Sequence, residues 1–343
     1  MGTIASIKTL RDLGETGIIR LIEGKVSQKL PSHVKKGIGD DCAVLETSGD
    51  RVLLVTTDTL IKGIHFTDQT LSPEALGWKA LAANISDIAA MAGTPRTAFL
   101  SIGLKAESKV SFLESFMAGF NALAEKTGIV LAGGDTVESP SLALITITLL
   151  GECLTEHVVY RSGARVGDDV WVTGLLGNAA GGLFVLRDKQ AGASSGYEDL
   201  VRAHQKPMPP LDVGKALGES GLAHAMIDIS DGIAKDLGHV CEQSGVGAVL
   251  RAASIPMSGQ LLKLAAKAEK EALQWALHGG EDYELLFTAS TADREKVKSL
   301  TAKLSGRPAV KVGTIIRGNG ILLAKQRARV PLEPGGYLHF CNK

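Results

Sequence analysis

A chain of 343 residues with 37 basic and 37 acidic side chains has no net formal charge, so it lacks the field that draws a protein to nucleic acid or an anionic membrane. With 45% hydrophobic and 22% charged residues it has the composition of a globular protein, and its length suits two domains of similar size. Cys42, Cys153, Cys241 and Cys341 form no C-x-x-C pair, which argues against a zinc site or a disulfide framework and favours a reducing cytoplasm. Met1 to Arg11 lacks the apolar stretch of a secretory signal, and the longest apolar run, Leu142 to Leu150, is broken by threonine. Forty glycines against three Trp, four Tyr and eight Phe point to tight turns and close backbone approaches, which backbone-lined phosphate sites need.

In chain order, Arg51 to Thr57 is β-rich and is expected to deliver Asp58 to a loop, and Pro73 with Glu74 opens a helix running to about Met91. A second helix is expected after Ser108, with Ser111 and Glu114 at capping-box spacing, Leu113, Phe116, Met117, Phe120 and Leu123 along one stripe, and Gly128 as its stop. Ile129-Val130-Leu131 leads into Gly133-Gly134-Asp135-Thr136, so an aspartate is again expected to follow a strand, and Leu142 to Leu150 reads as the next strand. The pattern turns polar around Glu152 to Asp169, and a boundary near Thr155 divides the chain into domains 1–155 and 156–343. Beyond it come a strand at Val170-Trp171-Val172, a helix over Gly181 to Leu186, a flexible loop at Gln190 to Gly196 and a rigid connection at Pro207, Pro209 and Pro210. Ala225 to Ile229 reads as a short strand before a helix with Ile233, Leu237, Val240 and Cys241 inward and Gly245 as its stop. Strands at Tyr283 to Thr288 and Val310 to Ile316 flank a helix from about Thr291 to Leu304, completing two α/β domains.

Five acidic signatures punctuate this pattern: Gly39-Asp40-Asp41, Thr57-Asp58, Ser86-Asp87, Gly134-Asp135-Thr136, and Asp228 with Ser230 and Asp231. Carboxylates beside glycine or small hydroxyl residues suit magnesium, a hard cation that prefers oxygen ligands, although Gly-Asp and Asp-Gly are also common turn dipeptides. Asp87 is more informative, because it lies in an apolar helix on one face with Ala80, Asn84 and Met91. An unpaired carboxylate there is costly, and either a local hydrogen bond or a metal would compensate it. No G-x-x-x-x-G-K-S/T loop, kinase glycine loop or nucleophile elbow is present, so bound phosphate would depend on metal bridges and backbone amides such as those at Gly133-Gly134. Arg161 is either an assisting cation or a surface residue. His65 contacts an anionic acceptor or caps a neighbouring carbonyl, and Glu281 sits at a strand mouth or in a simple turn.

In this order, Gly37 to Leu45, Thr57 to Leu60, Gly63 to Phe66, Asn84 to Met91, Gly133 to Thr136, Arg161 to Ala164, Ile227 to Gly232, Gly279 to Leu285 and Gly336 to Phe340 resemble the thiamine-monophosphate kinase family. That family is a branch of the aminoimidazole ribonucleotide synthetase superfamily, and the resemblance covers nearly the whole chain. It implies a two-domain fold whose amino-terminal sheets pair into a barrel across a homodimer. The implied reaction is ATP-dependent phosphorylation of thiamine monophosphate to thiamine diphosphate, with several Mg2+ ions. Asp41, Thr56, Thr57, Asp58, Asp87, Asp135, Asp228 and Asp231 match the metal ligands, with Asp41, Asp58, Asp87 and Asp135 central to catalysis. Gly134, Asp135, Arg161 and Ser230 match nucleotide contacts, and His65, Glu281 and Tyr337 match contacts to the thiamine phosphate. Lys62, the segment from Gln190 to Gly196, and Cys341 to Lys343 depart from the family pattern. The alternatives are a superfamily enzyme with another acceptor, or a catalytically silent nucleotide-binding module. Selenophosphate synthetase would want a reactive amino-terminal cysteine, and the hydrogenase maturation factor a cysteine at its last position.

Overall fold

The computed structural model describes residues 9–26, 30–188, 196–326, 328–333, 335–336 and 340. The expectations for Tyr337, Cys341 and nearly all of the segment from Gln190 lie outside them. The chain opens with α1 (Leu10–Glu23), kinked at Gly14 and started by a capping box between Thr9 and Asp12. A six-stranded sheet follows, built from β1 (Val34–Lys36), β2 (Ala43–Glu46), β3 (Arg51–Ile61), β4 (Thr94–Leu104), β5 (Val130–Glu138) and β6 (Leu144–Leu154) in the order β1-β2-β3-β6-β4-β5. Its centre is antiparallel, with β3 and β6 paired from Arg51 opposite Leu154 to Ile61 opposite Leu144, whereas β5 lies parallel to β4 at the edge. The parallel pair needs a crossover, and α3 (Val110–Thr127) supplies it.

α2 (Pro73–Ala90) begins at Ser72, whose hydroxyl accepts from the Ala75 amide, and Pro73 occupies the first helical position. Nearly every residue of this helix is buried, the pattern of a helix covered on all sides rather than an amphipathic surface helix. One flank, including Leu76, Leu81, Ile85 and Ile88, packs on the first sheet, whereas Ala89 and Ala90 pack with Val213, Leu217, Leu285 and Phe287 of the second domain. α2 and α3 meet at glycines: a β-carbon on Gly77 would lie 1.9 Å from the Phe116 carbonyl oxygen, and one on Gly119 1.8 Å from that of Glu74.

The second domain holds a seven-stranded sheet in the order β13-β12-β9-β11-β7-β10-β8. Its strands are β7 (Asp169–Val172), β8 (Ala225–Ile229), β9 (Gly247–Arg251), β10 (Glu284–Ala289), β11 (Val310–Ile316), β12 (Ile321–Lys325) and β13 (Ala328–Leu332). Around it lie α4 (Asn178–Arg187), α5 (Glu198–Gln205), α6 (Leu211–Glu219), α7 (Ile233–Ser244), α8 (Gly259–Lys267), α9 (Ala272–His278) and α10 (Arg294–Ser305). As the periodicity requires, α7 buries Ile233, Leu237, Val240 and Cys241 and stops at the left-handed Gly245. The end of α5 is stitched to α2: Gln205 Nε2 donates to the Thr70 carbonyl (3.0 Å), Trp78 Nε1 to the Pro207 carbonyl (2.7 Å), and Lys206 pairs with Glu74 (2.6 Å). No helix among the described residues is long and apolar enough to cross a membrane.

Three local expectations are corrected. α3 starts after Lys109 with no side-chain cap, Ser111 lies inside the helix, and Leu113 of the expected stripe is exposed. Asp58 lies within β3 rather than after it, because hydroxyl pairs Thr57 with Thr148 (3.0 Å) and Thr59 with Thr146 (2.8 Å) carry the ladder on to Ile61. Asp135 is likewise internal to β5, opposite Ser101.

Gly119→Ala is expected to force α2 and α3 apart and to lower stability by ~1–3 kcal/mol, the usual cost of overpacking. Urea denaturation reads this as a lower midpoint, and an unshifted midpoint would mean that the helices separate freely.

Candidate active site

Side chains alternate across β3, so Thr56 and Asp58 share the face covered by α2, while Thr57 points to the other. From α2, Asp87 meets that face and accepts a short hydrogen bond from the Thr56 hydroxyl. Its neighbour Ser86 reaches the second domain, where its hydroxyl donates to Asp228 Oδ2 of β8 (2.8 Å). Asp41, from the turn before β2, completes the group: one ligand oxygen each from Asp41, Asp87 and Asp228 lie within 4.8 Å of one another. Asp41 Oδ1 accepts from the Arg161 guanidinium, whereas its buried Oδ2 has no hydrogen-bond partner.

Electrostatics follow from this crowding. Burial, then the charges of Asp58, Asp228 and Asp41, pushes the Asp87 carboxyl well above the ordinary range. Burial and then Asp41 push Asp228 up to about 8. Asp58 rises to about 6 through burial and the charge of Asp231. Burial works against the Arg161 guanidinium, but Asp41 outweighs it and holds it charged. An array of hard oxygen donors with a buried unpartnered carboxylate oxygen and too little positive charge suits a divalent cation such as Mg2+, which Asp41, Asp87 and Asp228 would hold.

The cluster opens onto a cavity of about 860 Å³ that also receives Asp58, His65, Ser230, Asp231 and Glu281. His65 Nδ1 accepts from the Ile61 amide (3.0 Å), so the ring braces its own turn while facing the cavity. Asp231 is paired with Lys235 (2.6 Å), and Lys62 with Asp68 at the surface (2.6 Å). Thr57 is turned away, its hydroxyl against Thr148, and Gly134 and Asp135 sit on the exposed edge strand β5, so the single chain does not bring these three to the cluster. Glu281 has a left-handed backbone (φ 67°), held by its amide donating to the Ser230 carbonyl (2.7 Å). Beside it Asp282 accepts from the Gly177 and Ala179 amides (2.6 and 3.1 Å), which anchors the start of α4. α4 in turn brings Phe184 and Arg187 to the cavity, where Phe184 packs against Trp275 with ring centroids 5.3 Å apart. Sequence reasoning missed Phe184, Arg187, Trp275 and Lys79. Only Lys79 carried a signal, as a lone lysine in the same apolar helix that singled out Asp87.

The two halves of this architecture match two family models, the AIR synthase related protein N-terminal domain over residues 39–153 and its C-terminal domain over residues 165–324. The chain therefore belongs to the AIR synthase related family, a class of two-domain α/β proteins. Within it, the relatives of this chain are thiamine-monophosphate kinases. That of Aquifex aeolicus is 34% identical over 331 residues, 96% of this chain and 99% of its own length. That of Salmonella typhimurium is 36% identical over 311 residues, 90% of this chain and 93% of its own. The structure of AaThiL complexed with AMPPCP and TMP superposes with a TM-score of 0.85 at 32% identity, covering 98% of this chain and all of that one.

The raised carboxyls set the pH dependence of the metal-free protein. Asp87 and Asp228 hold protons more tightly folded than unfolded, so stability falls as pH rises from about 4, the ordinary carboxyl value, through about 8, where Asp228 ionises. Mg2+ relieves the repulsion only once the groups are ionised. Its effect on the melting temperature is therefore expected to be larger at pH 8 than at pH 5, and to shrink in Asp228→Asn. Equal shifts at both pH values in calorimetry would count against the cluster as the ion's site.

Proposed function

We propose that the protein transfers the γ-phosphoryl group of ATP directly to thiamine monophosphate, forming thiamine diphosphate. The observation that carries this reading is one cavity lined both by Asp87 and Asp228 of the three-carboxylate cluster and by the aromatic pair Phe184 and Trp275 with Glu281. The names of the relatives and the AMPPCP and TMP in the AaThiL structure support it.

ATP and a phosphate monoester together bring roughly six negative charges near neutral pH. Magnesium ions, when bound, would neutralise the facing phosphates and stabilise charge on the group in flight. Asp41, Asp87 and Asp228 would hold such ions, Thr56 and Ser86 orient the last two by hydrogen bonds, and Asp58 and Asp231 extend the acidic wall. Arg161 positions Asp41, and Ser230 faces the nucleotide. The aromatic pair Phe184 and Trp275 offers a face to the cationic thiazolium ring, whose charge Glu281 complements, while His65 lies near the acceptor. The attacking phosphate oxygen is already largely ionised at neutral pH, so no side chain is asked to remove a proton and no phosphoenzyme forms.

Thr57, Gly134 and Asp135 belong to this reading through a second copy. β5 is exposed along nearly its whole length, with Val130, Val137 and the adjoining Phe99 uncovered, and a long open edge of this kind is normally covered. We read it as the surface where two chains pair their sheets into a barrel, which brings Asp135 and Gly134 toward the nucleotide. We place the division between the domains at 155/156, within the 3-10 segment Thr155–His157 that follows β6.

The test is Mg2+-dependent ADP release measured against a panel of phosphorylated acceptors. Stimulation by thiamine monophosphate alone is expected, release with another acceptor would move the enzyme elsewhere in the family, and no release would leave only a nucleotide-binding module. Asp87→Asn should lower turnover about 100-fold or more, because one charge fewer faces the ions. Near-normal turnover in that variant would remove Asp87 from the site.

A further inference from the structure

Behind Glu281 lies a group that the reaction scheme does not use. Lys79 of α2 is 1% exposed, yet its Nζ stands 2.7 Å from Glu281 Oε1. His204 of α5, equally buried, places Nδ1 3.2 Å from Glu281 Oε2 and 3.4 Å from Lys79 Nζ. Each carboxylate oxygen thus has its own partner on the protein side, while the Glu281 side chain keeps 27% of its surface on the cavity side. His204 Nδ1 stands between an ammonium, which only donates, and a carboxylate, which only accepts, so bonding to Glu281 requires a proton on Nδ1. Its Nε2 is buried with no partner, which assigns the neutral ring. The three groups come from α2, α5 and the turn before β10, so they also join the two domains beside the cavity.

We propose that Lys79 and His204 are positioning residues for Glu281, fixing its carboxylate ionised and in one orientation at the acceptor end of the cavity. The inference rests on the reading of Glu281 as an acceptor contact. Burial alone would push the Glu281 carboxyl up, but Lys79 and then His204 outweigh it and hold it down to about 2. Burial and then the Lys79 charge lower the His204 pKa, in agreement with the neutral ring. The left-handed backbone at Glu281 points the same way, since strain of this kind persists only where the surrounding contacts over-determine it.

Steady-state kinetics with thiamine monophosphate and ATP varied separately tests this. Lys79→Met is expected to raise the KM for thiamine monophosphate about tenfold or more, with the KM for ATP within about twofold, since a buried carboxylate left without its cation loses its charge or its orientation. The double variant Lys79→Met with Glu281→Gln should be no worse than Glu281→Gln alone. His204→Asn, whose amide can donate from the Nδ1 position, should stay near wild type, while His204→Leu should behave like Lys79→Met. The His204 pair decides the matter even if Lys79→Met does not fold. Parallel losses in both KM values, additive losses in the double variant, or His204→Asn as damaging as His204→Leu would overturn the inference. An unchanged KM for thiamine monophosphate in Glu281→Gln would overturn the reading of Glu281 and the inference with it. A raised KM in Glu281→Gln, with none in Lys79→Met or His204→Leu, would overturn the inference alone.

Discussion

Three carboxylates brought within 4.8 Å of one another at the junction of two domains is an arrangement that the rest of the molecule has to hold against repulsion. At an effective dielectric near 20, each ionised pair at that separation repels by roughly 3 kcal/mol, a large fraction of the stability of an ordinary domain. The Arg161 guanidinium hydrogen-bonds Asp41, and the hydroxyls of Thr56 and Ser86 each donate to one oxygen of Asp87 and Asp228. The metal-free cluster therefore keeps protons that ordinary carboxyls would lose. Its deficit of positive charge is its capacity for cations, and the same deficit would let two phosphates approach once cations are present.

Holding such a cluster requires rigid supports, and α2 is the principal one. A helix buried on every side cannot shift without opening two cores, the first sheet's on one flank and that of Leu285 and Phe287 on the other. The glycine contacts with α3 fix its depth, and the bonds from Gln205, Trp78 and Lys206 fix its start against the second domain. From this one helix Lys79 reaches Glu281, while Ser86 reaches Asp228 and Asp87 joins the carboxylate cluster. Lys79 and Asp87 thus keep the spacing that helix geometry sets.

How much of this was legible in the sequence depended on the kind of signal. Asp87 declared itself because a carboxylate in an apolar helix needs a partner, and the same logic applied to Lys79 would have found the group behind Glu281. Helix stops at Gly128 and Gly245 were legible because a left-handed turn has few substitutes. Asp58 and Asp135 read as loop residues because local polarity reads as a turn, whereas β3 continues through hydroxyl pairs with β6 and β5 through its parallel pairing with β4, which one chain segment does not display. Phe184, Trp275 and His204 meet the site only through the packing of α4, α5 and α9, and no local pattern announces that. β4 and α1 were not foreseen either: β4 carries Pro95 and a register shift, and α1 is kinked at Gly14 and buries no residue.

The segment from Gly279 to Glu284 ties these observations together. Glu281 turns toward Lys79 and His204, Asp282 anchors the start of α4, and Glu284 accepts from the Thr173 hydroxyl (2.6 Å). These three acidic side chains thereby tie the turn to α2 and α5, to the start of α4 and to Thr173, and of the three only Glu281 lines the cavity. A β-carbon on Gly280 would lie 2.6 Å from the Ser230 carbonyl oxygen, so the turn also presses against the strand end that carries Asp228. Glu281 and the carboxylate cluster are therefore linked through backbone as well as through α2. The placement of Glu281 relative to the cluster is thus fixed by contacts from both domains.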